Sequence, residues 1–100
     1  MTPERLFANL FWGEDRARSI GDIAEAHGCS RRMVEKAAEQ LRADGSPICS
    51  GRSGLWLSDD PVELRHQYRA LRSRAIGQMV NARRLLRTAR AFERQQMRLW

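Results

Sequence analysis

The last forty residues constrain this chain more than any other feature. After Pro61 there is no further proline, and Gly77 is the only glycine before Trp100. Leu64, Tyr68, Leu71, Ala75, Met79, Ala82, Leu86 and Ala89 recur at steps of three or four, the period of one helical face. The pattern predicts one continuous helix over residues 61–100, about 55–60 Å long at 1.5 Å per residue. A domain built from the other sixty residues is too small to cover that stripe along its whole length. The stripe therefore needs a partner, and these eight residues are expected to serve oligomerisation. Alanines at 75, 82 and 89, and a drift from a strict heptad, favour close packing or a bundle over a long two-stranded zipper.

Charge divides the chain at the same place. The net charge is +6, but residues 1–60 hold eight Lys/Arg against ten Asp/Glu, whereas residues 61–100 hold ten arginines against Glu63 and Glu93. A near-neutral domain thus carries a strongly cationic helix, and a polyanionic partner, nucleic acid above all, fits that division. Parallel pairing of two such helices would stack arginine on arginine with few acids to relieve it. Antiparallel packing or a bound polyanion is the more comfortable arrangement.

Before residue 61 the periodicity predicts three short helices and a hairpin. Thr2-Pro3 suits a helix start, and Leu6, Phe7, Leu10 and Phe11 lie on one face of a helix over 3–12 that Gly13 ends. Gly13–Arg18 is a polar loop. Ser19 caps a second helix with Ile20, Ile23 and Ala24 as its apolar face and Asp22 as a capping-box-like acid; Gly28 ends it. Ser30 caps a third, with Met33, Val34, Ala37, Ala38 and Leu41 inward, stopped at Asp44-Gly45. Pro47-Ile48-Cys49-Ser50 and Gly54-Leu55-Trp56-Leu57 are too short for helices, and Gly51-Arg52-Ser53-Gly54 between them is turn chemistry, which predicts a β-hairpin. Asp59-Asp60-Pro61 then offers the cap of the long helix.

The run Ile20 to Ala37 joins two helices through a tight glycine turn, with the small Ala24 allowing a close crossing and Val34 inside the second helix. Followed by the glycine-tipped hairpin, this order over residues 4–58 resembles the winged helix-turn-helix family, in particular N-terminal domains of biotin-repressor type and small regulators of phages or mobile elements. The expected fold is mainly α with a small β-hairpin: a winged helix-turn-helix domain over 1–60 and one long arginine-rich helix over 61–100.

The resemblance implies that the second helix of the motif enters the major groove of double-stranded DNA and meets it with its early exposed residues, here Ser30, Arg31, Arg32, Glu35 and Lys36. Arg31 and Arg32 suit guanine edges or phosphate, and Lys36 suits phosphate. Ser30 is first an N-cap and secondarily a phosphate contact. Arg52 at the hairpin tip sits where a wing reaches the minor groove or its flanking phosphates. Glu35 and Glu39 lie on the arginine side and repel phosphate unless one of them reads a cytosine amino group. The resulting expectation is a sequence-recognising DNA-binding protein, either a transcriptional regulator or a replication or recombination accessory factor, that self-associates as a homodimer or higher oligomer. The alternative is an adaptor whose winged helix or basic helix docks a protein. For the long helix, self-association, arginine contact with phosphates and docking of another protein all remain open.

Other classes lack support in the sequence. No apolar run approaches the ~18 residues that span a bilayer, so no membrane partner is expected. Met1–Trp12 does not read as a signal peptide, since it holds Glu4 and one basic residue. Two cysteines are too few for a disulfide framework and suit reduced thiols in a cytoplasmic, nucleoid-associated protein. His27, Cys29, Cys49 and His66 include only one close pair, His27-x-Cys29, so no metal is expected, and both thiols read as small core residues. No phosphate-binding glycine loop, carboxylate pair or nucleophile triad is present. No catalytic residue, cofactor or small-molecule substrate is expected. Trp12, Trp56 and Trp100 read as packing residues.

Overall fold

In the computed structural model, which describes residues 1–99, the elements run α1 (Pro3–Ala8), a short 3-10 turn (Glu14–Arg16), α2 (Ile20–Ala26), α3 (Arg31–Ala43), β1 (Ile48–Gly51), β2 (Gly54–Leu57) and α4 (Pro61–Leu99). This is a helix-turn-helix with a hairpin wing, followed by a long helix. Trp100, expected as a packing residue, lies outside the described residues. Two compact units result: Met1–Gln67, which takes in the first two turns of α4, and the remainder of α4 from Tyr68 onward.

In the first unit Leu6, Ile23, Ala24, Val34, Ala37, Ala38 and Leu41 of the three short helices, with Leu10 just after α1, form one buried core with Ile48, Leu55 and Leu57 of the hairpin. Their starts follow the side chains expected: the Thr2, Ser19 and Ser30 hydroxyls accept from the N–H groups of Arg5, Asp22 and Met33.

Helix α1 is shorter than its periodicity predicts. It stops at Ala8, capped by Asn9, and Phe7 and Phe11 are exposed while Leu6 and Leu10 are buried. The reason is a competing set of backbone bonds. Leu57 N–H donates to the Phe11 carbonyl (2.8 Å) and Gly13 N–H to the Leu57 carbonyl (2.9 Å), which draws residues 11–13 into the sheet. Arg18 and Leu55 exchange both backbone bonds (3.0 and 2.8 Å). The loop expected over Gly13–Arg18 is therefore an edge to β2, with the 3-10 turn between its two contacts.

Strand β2 pairs with β1 on its other side, antiparallel, with Ile48 opposite Leu57 and Cys49 opposite Trp56. Leu55 and Leu57 face the core, and Cys49 and Trp56 face away from it, yet both are buried. The start of α4 is what covers them. Asp60 caps it through Val62 N–H, the Trp56 indole N–H donates to Glu63, and the Gln67 amide both donates to and accepts from the Ser50 backbone (2.8 and 3.0 Å). Gln67 thus satisfies the open side of β1 as a neighbouring strand would.

Among the glycines, Gly54 has the closest backbone neighbour. Its φ is +117°, a conformation that L side chains rarely adopt, and a Cβ added there would lie 1.9 Å from the Arg18 carbonyl oxygen. Gly45 also has a positive φ, +92°, but a Cβ there would meet nothing within 4 Å. Urea unfolding of Gly54→Ala is expected to show a destabilisation of about 3 kcal/mol or more, against about 1 kcal/mol for Gly45→Ala, whose cost is conformational alone. Equal destabilisation would show that the Arg18–Gly54 approach does not constrain the sheet.

Candidate nucleic-acid interface

The geometry of the α2–α3 pair starts from Gly28. At φ +62° it ends α2 in the left-handed region, and Cys29 N–H reaches back to the Ala24 carbonyl (3.0 Å). Ser30 begins the next helix two residues later. Ala24, Val34, Ala37, Ala38 and Leu41 are buried at the crossing, which fixes the outward face of α3.

At 100° per residue the point opposite this buried stripe falls on Arg32 and Lys36, with Glu39 beside them and Glu35 and Gln40 at the margins. All five are exposed. Arg31 is exposed as well but lies toward the flank, where its guanidinium runs across Gly21 of α2; a Cβ on Gly21 would stand 2.9 Å from an Arg31 Nη. Ser30 spends its hydroxyl on the Met33 N–H (3.2 Å). Of the residues expected to meet DNA, Arg31, Arg32, Glu35 and Lys36 thus share the first two turns of α3, and Ser30 caps them. Arg52 stands on a different element, exposed in the two-residue tip of the hairpin.

Two features of this face do not follow from residue spacing. Met33, expected inward, is 47% exposed, because the core closes through Val34 instead. Arg42, near the end of α3, turns inward to donate to the Ile48 carbonyl (3.0 Å) and the Ser50 hydroxyl (3.1 Å), tying α3 to β1. Neither tie is visible in a helical wheel, since both depend on where the hairpin lands.

Within the second unit, every residue from Leu71 to Arg98 is exposed. Arg83, Arg87, Arg90 and Arg94 line one side together with Leu86. Of the residues expected to serve oligomerisation, Tyr68, Leu71, Ala75, Met79, Ala82, Leu86 and Ala89 lie here and are exposed; Leu64 is half-buried and belongs to the first unit. Leu85 and Phe92, 71% and 65% exposed, are large apolar residues that the three-and-four count passed over.

Among the described residues no three His, Cys, Asp or Glu side chains gather as metal ligands, no helix is long and apolar enough to cross a membrane, and no buried side-chain nitrogen or oxygen lacks a hydrogen bond. Comparison with protein-family models, with curated proteins and with solved structures returned no match.

Cys49 is a buried structural thiol. Burial first, and then the Glu63 carboxylate beside it, push its pKa from 9.0 up to about 11. Below pH 9 the thiol is protonated whether the chain is folded or not. Between pH 9 and about 11 the unfolded chain sheds the proton while the folded one keeps it, so stability falls as pH rises through that window. Thermal melts at pH 8 and 10.5 are expected to show a smaller decline for Cys49→Ala than for the parent. Identical declines would remove the thiol from the pH dependence. At pH 8, iodoacetamide is expected to modify the half-buried Cys29 and spare Cys49 in the folded chain.

Proposed function

We propose that this protein recognises double-stranded DNA through α3, with the hairpin tip as a second contact, and self-associates through the exposed stripe of α4. Its role is that of a transcriptional regulator or a replication or recombination accessory factor, of the kind phages and mobile elements carry, associated with the nucleoid in the cytoplasm. The observation that carries the reading is the outward face of α3. Arg32 and Lys36 project at its centre from a helix held by the Gly28 turn and the α2 crossing, which is the presentation a major-groove reader needs.

The mixed charge of that face divides the labour. Glu35 and Glu39 offset much of the attraction of Arg32 and Lys36 for phosphate, so α3 supplies discrimination between bases more than bulk affinity. The arginines of the second unit supply sequence-independent attraction. No chemical step is part of the proposal.

A second reading has one observation in its favour. Phe7, Phe11, Trp12 and Met33 leave 39–54% of their surface exposed in the first unit, a larger apolar display than DNA binding requires. A protein-docking adaptor would use it.

Fluorescence anisotropy on a DNA duplex across a salt series separates the two. Arg31→Ala/Arg32→Ala is expected to weaken binding by about 10- to 100-fold and to lower the salt slope by about 0.9 for each phosphate the variant no longer reaches. A 1–67 chain is expected to keep a weaker but selective site. Unchanged binding by the double variant, with all binding abolished by truncation to 1–67, would transfer DNA recognition to α4 and favour the adaptor reading for the folded unit.

A further inference from the structure

We infer that the second unit pairs antiparallel with the same segment of a second copy, in a register set by Arg72 facing Glu93. The inference rests on the self-association part of the proposed function and adds its orientation and register. Following Met79 and Leu86 makes the apolar stripe drift. Taking Gln78 and Leu85 instead gives a strict heptad from Tyr68 to Phe92. One series is Tyr68, Ala75, Ala82 and Ala89; the other is Leu71, Gln78, Leu85 and Phe92. After Tyr68 the first series is all alanine, whereas the second holds larger residues throughout.

That segregation selects the orientation. Parallel helices put each series against itself, so three alanine layers would face each other across gaps while Leu85 and Phe92 met their own copies. Antiparallel helices cross the series. In a register centred near Val80, Leu71 meets Ala89 of the second copy, Ala75 meets Leu85, Gln78 meets Ala82, and Tyr68 meets Phe92. Every alanine then receives a larger side chain. The large members Tyr68, Leu85 and Phe92 are 61–71% exposed in the single chain, so they have surface to give.

Charge agrees with size. Glu93 is the only acid after Glu63, and it flanks the seam. The antiparallel register places it beside Arg72 of the second copy, twice by symmetry, with Met79 and Leu86 meeting between the two charge pairs. In a parallel pair Arg72 and Glu93 stay about 31 Å apart along the axis. Arg83, Arg87, Arg90 and Arg94 fall on outer positions of the heptad, so pairing leaves them in solvent. Arg74 meets Thr88, and no arginine is pressed against another across the seam.

Sedimentation equilibrium of the full chain, without DNA, tests this. The parent is expected to have the mass of two chains. Arg72→Glu and Glu93→Arg are each expected to weaken dimerisation about tenfold, since each reverses two symmetry-related pairs, and the double variant is expected to return to within about threefold of the parent. Circular dichroism checks that each variant keeps its helix. A monomer at ~100 μM or a mass above two chains would overturn the inference. So would single variants that self-associate like the parent, or a double variant no better than the singles. A monomer that still binds DNA sinks this pairing and leaves the α3 reading standing; a rescued dimer without DNA binding does the reverse.

Discussion

The first unit depends on how closely the Arg18 backbone can approach Gly54. A side chain at position 54 would occupy the space of the Arg18 carbonyl oxygen. Without one, Arg18 bonds to Leu55 on one edge of β2 while β1 holds the other, and residues 11–13 add a further contact at Leu57. A two-stranded ribbon this short has little stability alone. Here it becomes the centre of a small sheet whose inner face meets the helices and whose outer face meets the start of α4. The orientation of α3 follows, because Arg42 fastens that helix to β1 at the Ile48 carbonyl and the Ser50 hydroxyl. The outward face of α3 is therefore aimed by the sheet as well as by the Gly28 turn.

The two units divide the electrostatics unequally. On α3 the exposed Arg32 and Lys36 share their face with Glu35 and Glu39, and Arg31 lies across the neighbouring helix. In the second unit nine arginines stand against the single acid Glu93. Contacts that depend on fixed geometry suit the first surface, where helix crossing limits motion. Attraction that depends only on charge suits the second, where side chains stand in open solvent and screening by salt is strong. The proposed function uses both, with selectivity and affinity placed on separate parts of one chain.

Much of the fold was legible in the residues. Thr2, Ser19, Ser30 and Asp60 marked helix starts because a cap is a local hydrogen bond, and Gly28 marked the turn because a positive φ is a local demand. The end of α1 was not legible in the same way: Leu6, Phe7, Leu10 and Phe11 have helical spacing, but bonds from residues 11–13 to Leu57 override it across more than forty positions. Met33 misled for a related reason, since a helical wheel gives a direction and the depth of the core decides what is covered. At the candidate site, the exposure of Arg31, Arg32, Glu35, Lys36 and Arg52 followed from pattern. The fold-back of Arg31 over Gly21 did not, because it is set by the angle between two helices. The strict heptad of α4 is a property of the residues alone, but Met79 and Leu86, more apolar than Gln78, mask it in a count of hydrophobic positions.

The contacts of Glu63 and Gln67 have a consequence for how α4 forms. Starting a helix is the unfavourable step, because several residues must be fixed before the first bond closes, whereas lengthening it is cheap. Asp60 caps the first turn, and the hairpin holds the next two residues that matter, Glu63 through Trp56 and Gln67 through Ser50. The folded unit thus serves as a template on which the first turns are already in place. Residues beyond Gln67 need only propagate, even past Gly77. Helix content in the distal segment is in this way linked to the integrity of a hairpin many residues earlier in the chain.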